Sequence, residues 1–89
     1  MEPDQDAVSP LGLAERGFKG VIHSIDTGSV TFSLPAFEIE RRLIELGFIE
    51  GAEVCILHEG PIRRDPIAVR VNGATVALRR SEAMAILIR

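Results

Sequence analysis

The sequence predicts a mainly β domain, a small and strongly bent barrel with one α-helix and a single helical turn before its last strand. Three observations predict it. The runs IAVRV (67–71) and ATVAL (74–78) flank Asn72-Gly73, the strongest short hairpin signal. Helical periodicity of any length is confined to residues 37–46. The other apolar runs are short, and short strands with one real helix do not make a β-α-β sheet. A bent barrel buries them without leaving long exposed edges.

The 89 residues make one domain at most. A chain of this size buries only about 60% of its unfolded surface, so the core is small. The hydrophobic fraction, 46%, argues against general disorder. The net charge of −3 sits in the first ten residues, where Glu2, Asp4 and Asp6 face no base. Residues 37–89 carry eight acids and eight bases, and a neutral body without Trp or Tyr does not look like a nucleic-acid binder. The lone Cys55 excludes an internal disulfide and fits a reducing compartment. Neither a signal-peptide core nor an 18-residue apolar run occurs, so a cytoplasmic protein without a membrane span is expected.

Residues 1–10, MEPDQDAVSP, read as a disordered acidic tail, and the domain as 11–89. Leu11 to Ala14 reads as a lead-in segment packing one or two leucines, or as a tether. Phe18–Ile25 is the first strand, with Gly20 marking a bulge or close backbone approach. Asp26 to Ser29 is loop chemistry. Val30–Leu34 is a strand extension or an ordered loop, ended by Pro35.

In helix 37–46, Ile39, Leu43 and Leu46 form one apolar stripe. Glu38 and Arg42 are spaced to pair on the opposite face. Gly47 stands where a left-handed C′ residue closes a helix, which puts Phe48 against Leu43 in a Schellman cap. Glu50-Gly51 suits a type II turn. A strand follows at 53–58. Residues 59–66, EGPIRRDP, read as a loop with two prolines and two adjacent arginines. Beyond the hairpin, with Val76 and Leu78 inward, Ser81 is placed to cap a helical or 3-10 turn through Met84. Ile86–Ile88 is the last strand. This order fits an SH3-like barrel best.

ERRLIELGFIEGAEV, followed by GPIRRDPIAVRVNGATVALRRSEAMAILI, resembles the FeoA family, the small cytosolic partner of the bacterial ferrous iron transporter FeoB. The resemblance covers residues 11–89. It rests on Leu43, Leu46, Gly47 and Phe48; on Gly51; on Pro61, Ile62, Asp65 and Pro66; and on Leu78, Arg79 and Arg80. Glu50 departs from the family's usual proline, and Arg63-Arg64 stand where one glycine is common. The resemblance implies an SH3-like barrel and a non-enzymatic accessory role in ferrous iron uptake. It implies binding to the cytoplasmic GTPase region of FeoB, modulation of transport or GTP hydrolysis, and a place at the inner membrane through that partner alone. The barrel is also similar to the C-terminal domain of iron-dependent repressors of the DtxR type. Hence the alternative reading is a metal-sensing regulatory module acting on a transcription factor.

Catalytic signals are missing: no motif places a Ser-His-Asp or Cys-His pair, and no phosphate-cradling GxxxxGK[ST] occurs. No cofactor and no metal site is expected. Cys55 and His58, three apart on a strand, should point to opposite faces, with Cys55 a small core residue. The candidate partner-binding residues are Phe37, Leu43, Ile44, Leu46, Gly47 and Phe48 around the helix, and Arg63, Arg64, Arg79 and Arg80 as a basic rim. The bland alternative makes the apolar set core and the arginines solvated charges. Barrel edges also make weak self-association plausible.

Overall fold

A computed structural model describes residues 7–28 and 34–89; residues 1–6 of the tail and 29–33 of the expected strand extension lie outside the described residues. The described elements are β1 (Ser9–Pro10), a 3-10 turn (Leu11–Leu13), β2 (Lys19–Ile25), α1 (Ala36–Glu45), β3 (Glu53–Ile62), β4 (Asp65–Val71), β5 (Ala74–Leu78), α2 (Arg80–Ala83) and β6 (Ile86–Ile88). All strand pairings are antiparallel, and the order in space is β1-β6-β2-β3-β4-β5.

The core forms where the period-two faces of the strands meet the stripe of α1. Val54 and Ile56 of β3, Ile67, Val69 and Val71 of β4, and Leu78 of β5 are buried with Ile22, Ile86 and Ile88. Ile39, Leu43, Phe48 and Leu11 belong to the same buried cluster. Burying such side chains contributes about 1.5–3 kcal/mol each before entropy is counted. Strand pairing starts earlier than expected: Ser9 and Pro10, assigned to the tail, align with Ile88 and Leu87. Of the lead-in leucines only Leu11 is buried; Leu13 is exposed.

The helix exit follows the expected chemistry. Gly47 has φ 107, its N–H donates to Ile44 O at 3.0 Å, and the Phe48 N–H donates to Leu43 O at 3.0 Å. That is the double bond pattern of a Schellman cap, and Phe48 is fully buried against the stripe. Ala52 N–H then donates to Ile49 O at 3.0 Å across a turn with Gly51 at φ 87. The Asn72-Gly73 turn has φ 52 and 77, as a type I′ hairpin requires.

Three local expectations are corrected, and at Gly20 one of two alternatives holds. Residues 59–62 are not loop but the end of β3, which turns through Arg63-Arg64 at φ 56 and 58 directly into β4. The ladder shifts between Glu59 and Ile62, and a Cβ at Gly60 would collide with the Asp65 carbonyl, so the strand bends there only because residue 60 is glycine. Gly20 marks a close approach, to the Phe18 ring and to the Arg89 carbonyl, as one of its two readings expects, and the bulge of β2 lies between Ile22 and Ser24. The turn α2 begins at Arg80, so Ser81 lies inside it, exposed, and does not cap it; Glu82 accepts from the Arg79 N–H at 3.1 Å instead. Arg42 does not pair with Glu38: its guanidinium reaches Glu82 at 2.8 Å, tying α1 to α2.

Candidate docking surface

The helix α1 turns Ile39 and Leu43 inward and leaves the opposite side open. Phe37 is 67% exposed and Ile44 46%, and a spacing of seven puts them on one face. Leu34 before the helix and Ile49 after it are also exposed, so apolar surface runs past both ends of α1. Arg41 and Glu45 lie beside it as an exposed pair at 3.9 Å.

The candidate residues therefore separate. Phe37 and Ile44 face outward; Leu43 and Phe48 are core; Leu46 is half-buried; Gly47 is the cap. Leu43 and Phe48 cannot offer side-chain surface to a partner, because the helix stripe and the Schellman contact consume them. The arginines separate too. Arg63, Arg64 and Arg79 are exposed. Arg80 is not a solvated charge: its side chain is 19% exposed and clasps four parts of the chain. Its guanidinium donates to Gly12 O at 3.0 Å, Ala14 O at 2.7 Å, Arg64 O at 2.7 Å and Glu59 Oε2 at 2.6 Å. The Arg80 N–H donates to Asp65 Oδ1 at 2.9 Å. This planar fork suits several carbonyls and one carboxylate at once. Sequence spacing gave no sign of it, since the partners are 15–68 residues away.

A second feature went unread in the sequence. Lys19 aligns with Cys55, Cys55 with Arg70, and Arg70 with Thr75, one row across four strands on the outward face. Lys19, Cys55 and Arg70 line an open depression of about 880 Å³. Cys55 is thus half-buried on the outside rather than in the core. His58 aligns with the outward Ala68, so it shares the face of Cys55; the register shift between Ile56 and His58 cancels the alternation that should have separated them. Among the described residues no three His, Cys, Asp or Glu side chains converge as a metal-binding group. Nor is any helix among them long and apolar enough to cross a membrane.

A bent antiparallel sheet with one helix and a short turn before the last strand defines a small SH3-like domain, and solved structures agree. The model of the FeoA domain matches residues 9–89, so the chain belongs to the FeoA family. The structure of FeoA from Stenotrophomonas maltophilia, complexed with zinc, is 32% identical, with a TM-score of 0.72 over 90% of this chain and 88% of that one. It is described as an SH3 domain protein and candidate ferrous iron transport activating factor. A FeoA-like protein from Clostridium acetobutylicum is 29% identical, with a TM-score of 0.76 over 92% of this chain and 85% of that one. A manganese-dependent transcriptional repressor, 20% identical, shares the fold alone, with a TM-score of 0.72 over 91% of this chain and 40% of that one. No curated protein matches the chain.

Proposed function

We propose that the protein is a non-enzymatic accessory factor of ferrous iron transport that docks on the cytoplasmic GTPase region of a FeoB-type transporter. In this reading it works in the cytoplasm, at the inner membrane only through its partner, and modulates transport or GTP hydrolysis by favouring one transporter state. The FeoA family match over residues 9–89 carries the reading. The outward face of Phe37 and Ile44 supports it as the contact: apolar side chains on a rigid helix make an anchor with little ordering cost. The exposed Arg63, Arg64 and Arg79 supply a basic rim that sets orientation and encounter rate.

The test is a pull-down of the full chain against the solubilised transporter, with GDP and with a GTP analogue. Binding that depends on nucleotide is expected, and Phe37→Ser with Ile44→Ser should abolish it while changing stability by only about 0.5 kcal/mol each. Leu43→Ala should instead cost roughly 2–5 kcal/mol of stability, as a core truncation does. Absence of binding by the folded protein in every nucleotide state would sink the reading.

A further inference from the structure

The two ends of the sheet differ. One end, β1, is two residues long and contains Pro10, the short proline-bearing edge that resists an added strand. The other, β5, is hydrogen-bonded among the described residues to β4 alone and has five residues, with no proline and no lysine. Its register with β4 runs without a shift, whereas the β2–β6 and β3–β4 ladders both shift. In a two-residue hairpin Val71 and Ala74 form the hydrogen-bonded pair next to the turn, and alternation makes Val69–Val76 and Ile67–Leu78 the next. Thr75 and Ala77 therefore direct their N–H and C=O groups away from β4. Both side chains are small and exposed, so an extended chain can reach that backbone.

Charge selects the occupant. Between Pro66 and Arg79 there are two arginines and no acid. Arg70 aligns with Thr75 across the ladder. Arg79 continues the 75, 77, 79 alternation in extended backbone, φ −73 and ψ 146. Both are exposed, and neither is in an ion pair among the described residues. A second copy of this edge would bring the same two arginines, Arg70 of β4 and Arg79 just beyond β5, while the nearby Glu82 is already held by Arg42 and the Arg79 N–H, setting like charge against like. We infer that the β5 edge takes up an acidic, extended segment of a partner protein by strand addition, its carboxylates lying beside Arg70 and Arg79. This edge shares Arg79 with the basic rim of the α1 docking surface, but Arg70, Thr75 and Ala77 lie outside that surface, so strand addition does not depend on the α1 face.

The test is an NMR titration of the full chain with a synthetic peptide alternating Glu and Thr, and with the same peptide carrying Lys in place of Glu. Amide shifts should centre on residues 74–79, the Thr75 and Ala77 amides should gain protection from exchange, and the lysine peptide should not bind. Arg70→Glu with Arg79→Glu should weaken binding about tenfold or more. Ala77→Pro removes an outward donor and keeps the ladder to β4, so it should abolish binding; Thr75→Glu should do the same by repulsion if the proline variant does not fold. Shifts centred elsewhere, equal binding of the lysine peptide, indifference to the charge reversals, or peptide-free dimerisation through β5 would each overturn the inference. The α1 variants Phe37→Ser and Ile44→Ser should leave the titration unchanged, so loss of transporter docking and loss of strand addition read separately.

Discussion

β4 is flanked by two hairpins of the same length. On one side Asn72-Gly73 turns the chain at φ 52 and 77; on the other Arg63-Arg64 turns it at φ 56 and 58. The first pair is the one that left-handed backbone selects, because asparagine and glycine tolerate it. For the second, left-handed backbone costs roughly 1–2 kcal/mol per residue, since Cβ crowds the following carbonyl. Something outside the turn must hold it. Arg80 does: its guanidinium takes the Arg64 carbonyl at 2.7 Å, and its N–H takes the Asp65 carboxylate at 2.9 Å. One turn is specified by its own residues, the other by a residue from α2.

The sharpest way to break this contrast is Arg80→Ala. Glu59, 18% exposed, would lose its partner, and the Gly12, Ala14 and Arg64 carbonyls would lose a donor. Removing one side of a pair this enclosed should cost about 3 kcal/mol. Urea unfolding measures the loss, and hydrogen exchange should show β3–β4 opening before β4–β5. Adding Glu59→Gln should recover part of it, because the stranded carboxylate is then neutral. A loss under about 1 kcal/mol would mean that the Arg63-Arg64 turn stands without the clasp.

The same contrast governs what was legible. The helix, its Schellman cap, the Asn72-Gly73 hairpin and the last strand rest on residues within a few positions of one another, and the sequence displayed them. The continuation of β3 through Gly60, Pro61 and Ile62 was not visible. Proline, glycine and two arginines in a row spell a loop locally, and only the Arg80 clasp and the Asp65 carbonyl beside Gly60 show why that segment is a strand. The candidate site divides in the same manner. Phe37 and Ile44 could be read as lying off the stripe and Phe48 as the contact of the cap, whereas the clasp of Arg80 required the three-dimensional contacts.

Exchanging the turn residues comes next in size. Replacing Asn72-Gly73 by Arg-Arg should cost about 1–2 kcal/mol, because that turn has no clasp to hold it. Replacing Arg63-Arg64 by Asn-Gly should gain about 1 kcal/mol, since the Arg64 carbonyl still receives the Arg80 guanidinium. Thermal unfolding reads both; an unchanged melt on replacing Asn72-Gly73, or a loss on replacing Arg63-Arg64, would break the contrast. Gly47→Ala extends the comparison to the helix exit, where φ is 107 and the cap is local. About 1–2 kcal/mol should be lost there, and an unchanged melt would remove the left-handed requirement.

The smallest effect separates the side chain of Arg64 from its backbone. The Arg64 guanidinium reaches Glu15 at 3.4 Å, with the two side chains 65% and 78% exposed. A pair in that setting is worth no more than about 0.5 kcal/mol once solvent and salt screen it. The main-chain carbonyl of Arg64, by contrast, accepts from the enclosed Arg80. Arg64→Ala keeps the carbonyl and the left-handed strain while deleting the pair, so it should be nearly neutral. Arg64→Gly keeps the carbonyl and relieves the strain, so it should raise stability by about 1 kcal/mol. If the alanine variant lost as much as Arg80→Ala, the turn would depend on the Glu15 pair, and the clasp would be its consequence rather than its cause.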